Sequence, residues 1–270
     1  MKDRVIYTSV VGDIDVLMQP QVVDPRYDYV CFVRCAEGLD GGVWQLREIP
    51  SDIADDRMMS RYPKLHPEEL LPGYEWTLWI DGNISIREEA FYGRIDELIA
   101  SGVQMAAARH PKRDCVYDEA YAVVAADKER YAVARRVIKF LDSKGFPRHA
   151  GLFENSILLR RSGDTAVAKM DAMWWECLQT LSGRDQLSLV YCARECGVTI
   201  TPLLPEGMLL RDCSWLTYIY HDRQPARPWL IKKYFDARRR LEKFKLKRLL
   251  SSCCGGGSGE VRGNAGSVGR

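Results

Sequence analysis

The chain has 270 residues and 46% of them are hydrophobic, enough for one large domain or two small ones around a sizeable core. Its 39 Lys and Arg stand against 37 Asp and Glu, a net charge of +2 that excludes bulk electrostatic attraction to nucleic acid. No apolar run approaches a membrane span, no signal-peptide pattern follows Met1-Lys2-Asp3-Arg4, and the nine cysteines form no C-x-x-C pair, which points to a cytoplasmic chain with reduced thiols.

The first predicted element is a strand over 4–11, RVIYTSVV. Gly12 and Asp13 follow it, but neither G-x-G-x-x-G nor a P-loop is present, so dinucleotide and Walker-type chemistry find no support. Tyr7 and Thr8 near the strand end are candidates to flank a nucleobase; ordinary core and edge positions are the alternative. Strands are predicted over 28–34 (DYVCFVR) and 43–49 (VWQLREI). Pro50-Ser51-Asp52 then opens a helix from about Ile53, limited or split by Pro63 and Pro67. Arg57, Arg61, Lys64 and His66 lie along it, cations suited either to a diphosphate or to a solvated helix face.

Trp76 to Ile80 (WTLWI) reads as a buried strand, and its pattern breaks at Asp81-Gly82-Asn83. A carboxylate at the C-terminal end of a strand is where an open α/β sheet places its ligand. Asp81 and Asn83 offer hard oxygens to Mg2+ or Mn2+, and Gly82 admits a phosphate closely; an ordinary turn is the alternative. A short Ile84–Ile86 stretch, a helix over 88–100 ended by Gly102, and a strand over 103–108 follow. A polar cluster spans Arg109 to Glu119, and one long helix is predicted over 121–143, ended by Gly145 and Pro147.

A strand over 151–160 carries Glu154 and Asn155 at its approach. Glu154 there can face a sugar hydroxyl or sit in a solvent-exposed turn. A helix over 164–181 comes next, and Ser182 or Asp185 can cap another. A short strand over 198–204 and an aromatic run over 215–220 lead into His221-Asp222.

Residues 230–250 hold nine Lys or Arg and two Asp or Glu, +7 on one predicted helix striped by Ile231, Tyr234, Leu241 and Phe244. With +1 for 251–270, residues 1–229 are left at −6. Such a helix can lie on an anionic membrane surface, here the inner membrane face, or dock on the acidic body. The Gly/Ser-rich residues 251–270 read as a disordered tail. The predicted organisation is thus a globular domain over 1–229, a basic amphipathic helix over 230–250 and a tail.

In order along the chain, YTSVVGDID, YDYVCFVR, RMMSRYPKLHPEELLPGYEWTLWIDGNISI, HPKRDCVYDEA, GLFENSILLR and RDQLS together resemble a glycosyltransferase-like family. It was first described as a domain of unknown function, in bacteria and in plant proteins linked to cell-wall and mucilage polysaccharides. The resemblance covers residues 4–200, and the family is similar to the GT-A glycosyltransferases. It implies an α/β, GT-A-like nucleotide-diphospho-sugar transferase fold, a single mixed sheet flanked by helices, ahead of the C-terminal basic amphipathic helix. It implies metal-assisted transfer from a nucleotide-sugar donor, a UDP-sugar, to a glycan or lipid-linked acceptor, and no nucleic-acid partner.

On this resemblance, Asp81, Gly82 and Asn83 stand at the Asp-x-Asp position, with Asn83 replacing the second Asp. His221 is then the residue expected to complete a Mn2+ or Mg2+ site. Arg61 and Lys64 are expected to face the diphosphate. Asp185 and Gln186 resemble a pair that contacts the transferred sugar, and Glu154 is a second catalytic candidate near the acceptor. Two other functions stay open: a catalytically silent nucleotide- or glycan-binding module, and another metal-dependent nucleotide-processing enzyme on the same scaffold.

Overall fold

A computed structural model of the chain describes residues 2–12, 16–219 and 229–252, the side chains of 229–237, 239 and 252 excepted. The described strands are β1 (Arg4–Val10), β2 (Tyr27–Val33), β3 (Gln45–Glu48), β4 (Trp76–Ile80), β5 (Ile84–Ile86), β6 (Met105–Arg109), β7 (Phe153–Arg161), β8 (Ile200–Pro202) and β9 (Leu216–Tyr218). The helices are α1 (Asp56–Leu65), α2 (Pro67–Leu70), α3 (Glu89–Ala100), α4 (Val116–Ala125), α5 (Tyr131–Ser143), α6 (Thr165–Thr180), α7 (Leu189–Glu195) and α8 (Trp229–Ser252).

Seven strands form one mixed sheet in the order β3-β2-β1-β4-β7-β6-β8, and β5 pairs with β9 in a small antiparallel sheet. All pairings in the large sheet are parallel except those of β7, which runs against both β4 and β6. Strands inside such a sheet are covered on both faces, which is why WTLWI is apolar but for Thr77 and wholly buried. This is the mixed α/β architecture that the family resemblance implies, compatible with a GT-A-like fold.

Strand alternation assigns side chains to the two faces. Ile6, Leu78, Ile80 and Leu159 join Phe91, Tyr92, Ile95 and Leu98 of α3 in one apolar cluster. Tyr7, Trp79 and Arg160 occupy the opposite face, towards α1 and α6. There the Arg160 guanidinium donates to the Tyr7 hydroxyl at 3.0 Å and lies 3.2 Å from Asp171 of α6, all three residues wholly buried or nearly so.

Local chemistry explains most boundaries. Asp55 caps α1, its Oδ1 accepting from the Met58 amide at 2.8 Å, and Pro63 falls in the last turn before Pro67 restarts the chain as α2. The single long helix predicted over 121–143 is instead two. Asp127 adopts φ +57, and the amide of Lys128 returns to the carbonyl of Val123 at 2.8 Å, a left-handed helix stop that hydrophobic periodicity does not reveal. The helix predicted to open at Ser182 begins with a 3-10 turn, Asp185–Leu187, before α7.

The chain divides into two compact units: described residues up to 119 with 147–219, and 120–146 with 229–252. The first holds the large sheet. In the second, α5 buries Ala134, Val137, Ile138 and Leu141, and α8 meets α5 and buries Leu246. Leu241 and Phe244 of α8 are 54% and 59% exposed. Residues 251 and 252 extend α8; the rest of the predicted tail lies outside the described residues.

Candidate active site

The candidate site forms where β1 and β4 end and β7 begins. Asp81 leaves β4 with its amide bonded to the Ser156 carbonyl at 2.8 Å, so the first residues of β7 lie beside it. Trp79 Nε1 donates to Asp81 Oδ1 at 2.8 Å, fixing the carboxylate above the ring that precedes it by two residues. Lys64 Nζ stands 3.7 Å from the same oxygen and 2.8 Å from Asp185 Oδ2. Its side chain is 5% exposed and its ammonium lies 5.3 Å from the Trp79 ring centre.

Lys64 therefore bridges two carboxylates that are 104 positions apart in the chain. Burial resists ionisation of Asp185, but Lys64, Arg61 and Arg184 outweigh it and hold the carboxyl well below its usual range. Arg61, one helical turn before Lys64, has its Nε buried without a hydrogen-bond partner and donates through Nη1 to the Arg57 carbonyl at 3.2 Å. Three cations thus act on Asp185, and one of them also stands beside Asp81.

Asp185 and Gln186 are pinned by their surroundings. Trp174 Nε1 of α6 donates to the Asp185 carbonyl at 2.9 Å, and Gln186 Nε2 donates to the Phe153 carbonyl at 2.8 Å. Gln186 thereby ties the 3-10 turn to the start of β7. The next residues there, Glu154 and Asn155, are buried. Arg211 Nε lies 3.3 Å from Glu154 Oε1, while Oε2 has no hydrogen-bond partner. Burial pushes the Glu154 carboxyl up, against the pull of Arg211. Tyr218 of β9 packs its hydroxyl against Ser156, near enough to Glu154 and Asp81 to feel both charges.

Asn155 has no counterpart among the sequence expectations for the site. It is 5% exposed, yet neither its Nδ2 nor its Oδ1 makes a hydrogen bond. An amide buried without partners costs about 1–3 kcal/mol, so this residue is held against its own stability interest. The strand geometry shows how. Ala107 pairs with Leu158 but Ala108 pairs with Glu154, so residues 155, 156 and 157 of β7 bulge away from β6 at the edge that holds Asp81.

Several predicted residues stand differently from expectation. Tyr7 and Thr8 are wholly buried: every central residue of β1 is covered, so the Tyr7 ring offers no face to a base, and its hydroxyl instead reaches the Lys64 carbonyl at 3.4 Å. Gly82 packs closely against the protein itself, since a Cβ there would meet Val10 Cγ2 at 2.9 Å and force that side chain to shift. Asn83 donates from Nδ2 to the Ile219 carbonyl and accepts from the Ile219 amide, both at 2.9 Å, so it anchors the end of β9 and keeps only Oδ1 for an ion. His221 lies outside the described residues. Asp81, Lys64, Arg61, Asp185, Gln186 and Glu154 do converge along one edge.

A model of one protein family, described as TOD1/MUCI70, glycosyltransferase-like domain, matches residues 36–204. The chain belongs to the TOD1/MUCI70 glycosyltransferase-like family. The matched span contains Lys64, Asp81, Glu154, Asn155 and Asp185 and leaves out Tyr7, Thr8 and His221. The chain is also similar to a plant protein named Probable hexosyltransferase MUCI70, from Arabidopsis thaliana, with 26% identity over 165 residues. That match takes in 56% of this chain and 28% of the plant protein, so the chain spans little more than a quarter of that relative's length. Family membership supports glycosyl transfer at the level of the family.

Proposed function

We propose that this glycosyltransferase-like domain moves a sugar from a nucleoside diphosphate sugar, a UDP-sugar, to a hydroxyl of a glycan or lipid-linked acceptor. The observation that carries the reading is the Lys64 bridge between Asp81 and Asp185, with Arg61 and Arg184 beside it, at the ligand-binding edge of the sheet. A cluster of three cations suits a diphosphate, whose charge grows as the sugar departs. Lys64 and Arg61 hold that charge, and Asp185 keeps the Lys64 ammonium in place. Gln186 and Asn155 face the same edge and position the sugar.

Asp81 and the Oδ1 of Asn83 are hard oxygens, a donor set that suits Mg2+ or Mn2+ keeping waters and phosphate oxygens as its other ligands. The ion, when bound, supplies Lewis-acid stabilisation of the diphosphate. His221 remains a proposed further ligand. Glu154 takes the acceptor proton if the course inverts the anomeric centre; if it retains, the leaving diphosphate does so and Glu154 only orients the acceptor.

The test is UDP binding by calorimetry, with and without Mn2+, on the wild type and on Asp81→Ala. Metal-dependent binding that Asp81→Ala abolishes supports the donor site. Equal binding with and without metal favours a silent nucleotide-binding module, and absence of binding in every condition removes the UDP-sugar reading.

A peripheral membrane role accompanies this proposal. Among the described residues no helix is long and apolar enough to cross a membrane, but α8 exposes Leu241 and Phe244 within the +7 segment. Those apolar groups and the surrounding Lys and Arg suit an anionic lipid surface at the inner membrane face, near a lipid-linked acceptor. Flotation with anionic vesicles should be lost in Leu241→Ser/Phe244→Ser; flotation equal to wild type would exclude α8 as the contact.

A further inference from the structure

The loop that follows β6 and the loop that precedes β7 bring together a second set of side chains, none of which the proposed transfer uses. Cys115 and Asp118 stand three residues apart at the start of α4 and so share one helix face. His149 comes from a different segment. One ligand atom from each of the three lies within 4.8 Å of the others, and among the described residues no other group of three or more His, Cys, Asp or Glu is so arranged. The two segments are held together by the Gly151 amide, which donates to the Asp114 carbonyl at 2.9 Å.

We propose that Cys115, Asp118 and His149 form a site for a transition-metal ion of the zinc type, separate from the oxygen-only set at Asp81. The donors decide the class. One thiolate, one imidazole and one carboxylate suit Zn2+ or Co2+, whereas Mg2+ and Mn2+ are held by oxygens. Three protein ligands leave one tetrahedral position for water.

The surroundings fit such an ion. The Nδ1–H of His149 donates to Asp114 Oδ1 at 2.8 Å, which leaves Nε2 as the metal-binding nitrogen and gives the imidazole its orienting carboxylate. Cys115 is wholly buried, while the His149 side chain is 61% exposed. Closure of the three ligands around the ion is small, since ligand atoms around a tetrahedral zinc stand about 3.5 Å apart. The ion must displace one competitor, Arg148, whose Nη1 is 3.7 Å from Asp118 and whose guanidinium lies over the Tyr117 ring. Bound metal would fasten the start of α4 to the segment that delivers Phe153 and Glu154 to the active edge.

The experiment uses the full chain, stripped with chelator and titrated with Co2+ and then with Zn2+. One equivalent of Co2+ should give a thiolate-to-cobalt charge-transfer band that Zn2+ removes. Cys115→Ser should abolish the band, and His149→Ala and Asp118→Asn should weaken binding at least tenfold. Asp114→Asn should weaken it by about tenfold through the ring orientation. Asp81→Ala should bind as the wild type does. Circular dichroism of each metal-free variant checks that it is folded, and His149→Ala, altered at an exposed position, keeps the test decisive if Cys115→Ser is not. No band in the wild type, or binding by folded His149→Ala and Asp118→Asn equal to wild type, would overturn the proposal.

Discussion

Replacing Asp185 with Asn removes the nearer of the two carboxylates that hold Lys64. The ammonium is 2.8 Å from Asp185 and 3.7 Å from Asp81, on a side chain only 5% exposed. Breaking a buried ion pair by deleting one partner costs about 3–5 kcal/mol, because the other charge stays buried. Two features reduce that figure: Asp185 is 18% exposed, and Asp81 and the Trp79 ring still hold the ammonium. The expected loss is therefore about 2 kcal/mol at neutral pH, of which a cycle with Lys64→Met should return about 1–2 kcal/mol as coupling. Urea unfolding measures it as a lower midpoint at unchanged slope. The Asp185 carboxyl lies below its unfolded value, so its contribution is present at neutral pH and lost as pH falls through the folded value. Wild type and Asp185→Asn should accordingly converge in acid. A loss under about 0.5 kcal/mol, or a gap that persists unchanged into acid, would refute the assignment of Lys64 as a buried cation that depends on Asp185.

Asn155→Ala should leave stability within about 1 kcal/mol of wild type, because removing an amide with no partners relieves a penalty while losing some packing, yet it should lower sugar transfer by about 10- to 100-fold. Unfolding curves and donor-dependent turnover measure both, and a large stability loss with unchanged turnover would make Asn155 structural. Burial pushes the Asp171 carboxyl up to about 7 against the pull of Arg160, so the stability it contributes is whole below its unfolded value of 3.8 and is lost as pH rises towards 7. Asp171→Asn should flatten the decline between about pH 4 and 7, and an identical pH profile in wild type and variant would show that Asp171 does not titrate there.

The central strands were legible because they are covered on both faces and so read as mainly apolar runs, WTLWI with its single Thr77 above all. Asp81 was legible for a related reason: the run stops at a carboxylate. The partners of Asp81 were harder to find. Lys64 and Asp185 are individually ordinary, a cation on a helix and an acid at a turn, and only the packing of α1 against β1 and α6 makes them a pair. Asn155 gave a signal, a polar residue entering LFENSILL, but its meaning depends on the absence of a partner, which needs coordinates. Tyr7 misled because an aromatic near a strand end looks like a base platform, whereas here its hydroxyl completes a buried link between Arg160 and α1. The stripe on α8 was visible, but among its described side chains Leu246 is buried while Leu241 and Phe244 are exposed, and the side chains of Ile231 and Tyr234 lie outside the description.

The bulge at residues 155–157 also separates two kinds of constraint. Beyond it, Leu158, Leu159 and Arg160 keep their pairing with both β4 and β6, so the register of the central sheet is fixed on that side whatever the bulge contains. Within it, the three residues are paired with β4 at Ile157 alone and with β6 nowhere. The side chains of Asn155 and Ser156 can therefore be exchanged without sliding the strand and turning its faces over. A sheet that must stay rigid thus carries, at the edge facing the proposed sugar, a short stretch where a related enzyme could change its substrate while keeping its fold.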